Sequence, residues 1–79
     1  MKAEIYSKKN CVFCDKAKLR LAKHGPKIFM LDIDFTREEF FKKFPNAKTF
    51  PQIMIDDKHI GTYQELEKWL AFNQPDQDF

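Results

Sequence analysis

Ala3-Glu4-Ile5-Tyr6-Ser7-Lys8-Lys9-Asn10-Cys11-Val12-Phe13-Cys14 is the stretch that decides how this chain folds. Ala3 to Tyr6 reads as a short strand, and Ser7 to Asn10 as a polar loop. From Cys11 to about His24 there is no Gly or Pro, and Ala17, Leu21 and Ala22 can share one face. A helix is predicted there, stopped by Gly25-Pro26 in the usual order for a helix end. The two cysteines, the only ones in 79 residues, therefore sit where a strand gives way to a helix.

Downstream, Ile28-Phe29-Met30-Leu31 is a continuous apolar run bounded by charge, the pattern of a strand buried on both faces. Thr36-Arg37-Glu38-Glu39 is a capping box, with Thr36 as N-cap, and Phe35 and Phe40 fall at the positions of a hydrophobic staple. Pro45 stops that helix after Phe44. Pro51 to Ile55 leads into a third strand, Asp56-Asp57 turns, and Lys58 to Ile60 returns as a fourth. Gly61 breaks the chain. Thr62-Tyr63-Gln64-Glu65 is a second capping box, opening a helix with Leu66, Trp69 and Leu70 on one face. Residues 73–79 are expected to fray. The order β-α-β-α-β-β-α implies an α/β class: a mixed four-stranded sheet, its first two strands parallel, flanked by helices. The whole chain, residues 1–79, reads as one domain.

Charge and composition narrow the function. The formal charge of +2, from Lys+Arg 14 against Asp+Glu 12, does not mark a nucleic-acid or membrane binder. No secretory signal pattern or spanning run is visible, so a cytoplasmic monomer is expected. With 43% hydrophobic residues and nine Phe, an ordinary apolar core is feasible. A bridge between Cys11 and Cys14 would close so short a loop that it could barely stabilise the fold. In a reducing compartment such a pair serves chemistry or metal binding rather than structure.

Residues i and i+3 in the first turn of a helix lie on one face, with Cα atoms about 5 Å apart, inside the range a disulfide needs. Cys11 falls at or near the N-cap, where unsatisfied N–H groups and the positive end of the helix favour a thiolate. Lys8, Lys9, Lys16 and Lys18 add positive potential. Such surroundings can lower a cysteine pKa from about 8.5 into roughly the 3.5–7.5 range. Cys11 is therefore the expected nucleophile, and Cys14, one turn deeper, the resolving thiol. An inert pair and half of a zinc site are the competing readings. Zinc wants four ligands, and His24 lies roughly 15 Å along the helix from Cys14, too far to share a site with the pair. No metal is expected.

Four pieces of the chain, in order and spacing from Ala3 to about Phe72, resemble the glutaredoxins. Lys8-x-x-Cys11-x-x-Cys14 is similar to the family's Lys-x-x-Cys-Pro-Tyr-Cys. Thr49-Phe50-Pro51-Gln52-Ile53 resembles its Thr-Val-Pro-Gln-Ile segment, in which the proline is cis. Asp56 to Gly61 resembles the following hairpin, and Gly61 to Leu66 stands at the family's Gly-Gly-x-Asp-Asp-Leu. The resemblance implies a thioredoxin fold and a glutathione-dependent thiol–disulfide oxidoreductase acting on disulfide-containing proteins and glutathione mixed disulfides. It implies that Lys8 meets the glycine carboxylate of glutathione, with Arg37 and Lys48 as further candidates. Phe13 would flank the sulfur site. Thr49, Phe50 and Pro51 would offer backbone to the cysteinyl part, and Tyr63 and Gln64 would hold the γ-glutamyl end.

The chain departs from the pattern at Val12 (usually Pro), Phe13 (usually Tyr), Thr62 (usually Gly) and Gln64. The last replaces an Asp that would pair with the substrate's ammonium. Two other functions fit the same resemblance: a thioredoxin-like member recycled by thioredoxin reductase, donating electrons to ribonucleotide reductase, and a carrier of a [2Fe–2S] cluster ligated with glutathione between two subunits. A binding module with idle cysteines is the non-enzymatic alternative.

Overall fold

The computed structural model describes residues 1–73. The elements run β1 (Ala3–Ser7), α1 (Val12–Arg20), a short 3-10 turn (Ala22–His24), β2 (Lys27–Met30), α2 (Arg37–Lys43), β3 (Gln52–Ile55), β4 (Lys58–Gly61) and α3 (Tyr63–Phe72). The expected order is realised. The first helix is shorter than its Gly- and Pro-free run: α1 gives way at Leu21 to the 3-10 turn, which ends at Gly25 in the left-handed region (φ 59°). Apart from Asn73, whose amide caps α3 by donating to the Trp69 carbonyl at 2.9 Å, the expected tail lies outside the described residues. No helix among them is long and apolar enough to cross a membrane.

The sheet order is β2-β1-β3-β4, with β1 parallel to β2 and antiparallel to β3, and β3 antiparallel to β4. β1 therefore runs down the middle, and its alternation sorts the core into two layers. Ala3 and Ile5 face α1 and α3, joining Ala17, Leu21, Ile53, Ile55, Leu66 and Leu70 in one buried cluster. Tyr6 points the other way, into a second cluster formed by Leu31, Phe35, Phe40 and Phe44 with Phe29, Phe50 and Met54. Aromatic rings dominate that layer: Tyr6 stacks on Phe29 at 4.7 Å and meets Phe44 edge-on at 5.1 Å.

One expectation is corrected here. β2 is an edge strand rather than one buried on both faces. Lys27 and Ile28 are exposed, Phe29 and Met30 half-buried. Its apolar run covers the flank of Tyr6 instead of filling the centre, and Lys27 Nζ lies over the Phe29 ring at 5.3 Å. Both helix starts follow the sequence reading. Thr36 N–H donates to Glu39 Oε1 at 2.8 Å and Glu39 N–H to the Thr36 hydroxyl at 3.1 Å, while Phe35 packs on Phe40 at 5.8 Å. Thr62 and Glu65 form the second capping box, with Thr62 N–H on Glu65 Oε1 at 2.8 Å.

Candidate active site

The end of β1 and the start of α1 place the two sulfurs. Asn10 turns the chain in the left-handed region (φ 54°), which Asn tolerates better than most residues. Cys11 is then extended (φ −126°, ψ 104°) and is the N-cap of α1. Its Sγ accepts the Cys14 N–H at 3.2 Å, and its carbonyl accepts the Asp15 N–H at 3.1 Å. The sulfurs are joined as a disulfide with Cα atoms 5.2 Å apart, so the pair opens and closes within one helical turn. Exposure separates the partners. Cys14 is fully buried at 0%, whereas Cys11 is half-buried and lines an open groove. The outer sulfur is thus the reachable one, and in the thiolate state an N–H and the helix N-terminus face it.

The groove holds about 530 Å³. Lys8, Arg37 and Lys48 are its charged residues, and no Asp or Glu lines it. Its apolar wall is Phe40, Phe41, Phe50 and Pro51, with Val12 and Phe13 at the sulfur end. The Phe50–Pro51 peptide is cis. Phe50 stacks on Phe40 at 4.4 Å, and Lys8 Nζ lies 5.8 Å from the Phe50 ring centre. The groove is thereby a cationic, aromatic-walled cleft ending at a redox-active sulfur.

Behind the wall, a buried amide fixes the Thr49–Pro51 segment. Gln52, 3% exposed, donates from Nε2 to the Thr49 carbonyl at 2.9 Å. Its Oε1 must then face His59 Nε2, 2.6 Å away, which makes that nitrogen the donor. His59 also packs its ring on Phe44 at 4.6 Å, and loss of water around the ring holds its pKa below the ordinary histidine value.

Of the residues read from the sequence, Lys8, Cys11, Phe13, Thr49, Phe50, Pro51 and Gln64 share the groove, joined by Arg37 and Lys48. Cys14 lies beneath it. The side chain of Tyr63 is elsewhere: its hydroxyl donates to Glu67, and its ring lies against Phe13 at 5.9 Å, with Lys16 over Phe13 at 5.2 Å. Tyr63, in the first turn of α3, is not among the residues lining the groove. Asn10, Phe40 and Phe41 line the groove and were not anticipated there. Phe41 carried a signal: Phe40 and Phe41 are adjacent on one helix and cannot both face the core, and Phe41 is 45% exposed.

Comparison with known proteins agrees with this geometry. The glutaredoxin family model matches residues 3–60. Glutaredoxin 3 of Escherichia coli strain K12 is 41% identical over 66 residues, spanning 80% of this chain and 78% of the relative. The crystal structure of glutaredoxin 1 from Francisella tularensis, complexed with cacodylate, superposes with a TM-score of 0.76 at 28% identity, covering 90% of this chain and 93% of that one. Reduced Escherichia coli glutaredoxin superposes with a TM-score of 0.76 at 25% identity, covering 94% and 98%. With a buried and a reachable sulfur one helical turn apart in a thioredoxin-like frame, the chain belongs to the glutaredoxin family of thiol–disulfide oxidoreductases.

Proposed function

We propose that glutathione is the electron donor and that it binds in the groove beside Cys11. The observation that carries this is the groove's charge: Lys8, Arg37 and Lys48 with no acid among the lining residues, ending at the Cys11 sulfur. Glutathione bears two carboxylates and one ammonium, so a net anion with a central thiol suits that layout. Its glycine carboxylate pairs with Lys8, assisted by Arg37 and Lys48. Its cysteinyl part lies along the Thr49–Pro51 backbone, and its γ-glutamyl carboxylate faces the N-terminal turn of α3 beside Gln64.

Cys11 thiolate attacks the glutathione sulfur of a mixed disulfide and expels the substrate thiolate. A second glutathione thiolate attacks the resulting Cys11–glutathione bond, giving glutathione disulfide and restoring Cys11. For a protein disulfide, Cys11 forms a bond to one substrate sulfur and releases the other. Cys14 then displaces the substrate and closes the disulfide seen here. Two glutathiones reopen it. A reducing compartment such as the cytoplasm keeps the pair supplied.

The test is turnover of a glutathionylated peptide with glutathione as reductant. Cys11→Ser abolishes it and Cys14→Ser retains the route that needs only Cys11. Equal loss in both variants, or recycling by a thioredoxin reductase but not by glutathione, rejects the proposal.

A further inference from the structure

A second recess of about 380 Å³ opens beside the groove, lined by Lys8, Lys9, Leu31, Asp32, Ile33 and Arg37. Lys8 and Arg37 line both, so the two adjoin along those side chains and share one surface. Lys8, Lys9, Arg37 and Lys48 face it against the single acid Asp32, although the whole chain carries only +2. The ion pairs among the described residues are Lys2–Asp57, Lys18–Asp15 and Arg20–Glu67, and they involve none of these four cations. The positive charge of this end is therefore unspent within the fold.

Glutathione, as placed above, stops at its glycine and leaves Lys9 and the second recess unused. A protein substrate held by the same backbone continues past that point. We infer that the second recess docks the stretch of a protein substrate following its disulfide-bonded cysteine, and that it selects acidic residues there; this rests on the reading that substrate disulfides meet Cys11 in the groove. The apolar part of the recess favours a peptide over a phosphate polymer. Ile33 is 68% exposed there, with the buried Leu31 beneath, and an amino-acid side chain can cover the Ile33 surface. Four unpaired cations also steer an acidic segment toward the sulfur, an effect that salt screens.

The experiment uses the reduced protein in single turnover on peptides closed by one internal disulfide, with no glutathione present. Cys11 thiolate bonds to one peptide sulfur and the other leaves as thiolate. Cys14 then displaces the peptide and forms Cys11–Cys14, so one peptide disulfide is reduced for each protein dithiol oxidised. One peptide has Glu-Glu directly after the attacked cysteine, a second Gln-Gln, a third Lys-Lys. The acidic peptide should react roughly three- to tenfold faster than the neutral one at low salt, with the ratio collapsing toward one at high salt. Lys9→Glu, which touches only the second recess, should drive the acidic-to-neutral ratio to one or below. Equal rates for the acidic and neutral peptides overturn the acidic preference alone, as does a ratio unmoved by Lys9→Glu. Reduction of neither peptide overturns the underlying reading along with it. Competition by single-stranded oligothymidylate as strong as by the reduced acidic peptide shows a general polyanion surface and overturns the inference.

Discussion

Gln64 stands at the lip of the groove, its amide oxygen 3.0 Å from the Thr62 hydroxyl, which also reaches the Glu65 carboxylate. The motif that Gly61 to Leu66 resembles has an aspartate at this position, so on the proposed placement of glutathione the groove lacks one partner for its ammonium while keeping Lys8, Arg37 and Lys48. Gln64→Asp should lower the KM for a glutathionylated peptide about two- to fivefold with little change in kcat, because an exposed ion pair contributes only about 0.5–1 kcal/mol. Steady-state kinetics over a range of peptide concentrations decide it. An unchanged KM would mean that the γ-glutamyl end does not lie beside α3. The placement of Cys11 at the cap and of Cys14 one turn deeper was legible in the sequence, because a cap position and the next turn are set by local rules. The side-chain placement of Tyr63 was not, since its bond to Glu67 and its contact with Phe13 depend on how α1 and α3 pack.

At the level of elements, the β3–β4 hairpin does more than complete the sheet. Its Gln52 side chain, held in turn by His59, donates to the Thr49 carbonyl from behind the groove. Gln52→Glu keeps an acceptor for His59 but, as a carboxylate, cannot donate to Thr49. Losing one such bond costs about 0.5–1.5 kcal/mol, so KM should rise roughly two- to tenfold. Because Gln52 is buried, the melting temperature is read alongside: a purely structural defect would lower it and leave KM unmoved. The β4–α3 junction is equally tight. Gly61 has φ 121°, and a Cβ there would come within 2.9 Å of Glu65 Oε1 and 3.1 Å of Glu65 Cβ and Cγ. Gly61→Ala should destabilise by about 1–3 kcal/mol, read as a lower urea midpoint with unchanged slope. Both capping boxes were readable because each is local in sequence. The misplacement of β2 has the opposite cause. A run of apolar residues does not say whether a strand lies in the middle or at the edge of a sheet, and here long-range pairing of β1 with β3 put β1 in the middle.

For the molecule as a whole, acid is the informative perturbation. Hydrogen bonds from Thr62 hold the Glu65 carboxyl below its ordinary pKa, and those from Tyr63 and then Arg20 do the same for Glu67. A depressed carboxyl pKa means that the folded state prefers the charged form. That stability is whole above the unfolded value of about 4.3 and is lost as pH falls through the lower folded values. Urea midpoints should therefore decline below about pH 5, and Glu65→Gln should flatten the decline; a curve identical to that of the parent protein would remove Glu65 from this role. The whole-molecule order β-α-β-α-β-β-α was legible from apolar runs and faces together with turn and cap residues. The groove was legible only in part: Asn10 enters it through the left-handed turn before Cys11, and Phe40 and Phe41 through the way α2 lies beside it.

Phe40 and Phe50 belong to two structures at once, the buried aromatic layer and the wall of the groove. Occupancy and folding are consequently linked functions. A ligand that fills the cleft acts as a temporary extension of the hydrophobic interior. At a concentration of 100 times its dissociation constant it would add about 2.7 kcal/mol to the free energy of unfolding, for as long as it stays bound. If glutathione is that ligand, as proposed, the protein is most robust while loaded with it, and resistance to unfolding follows its concentration.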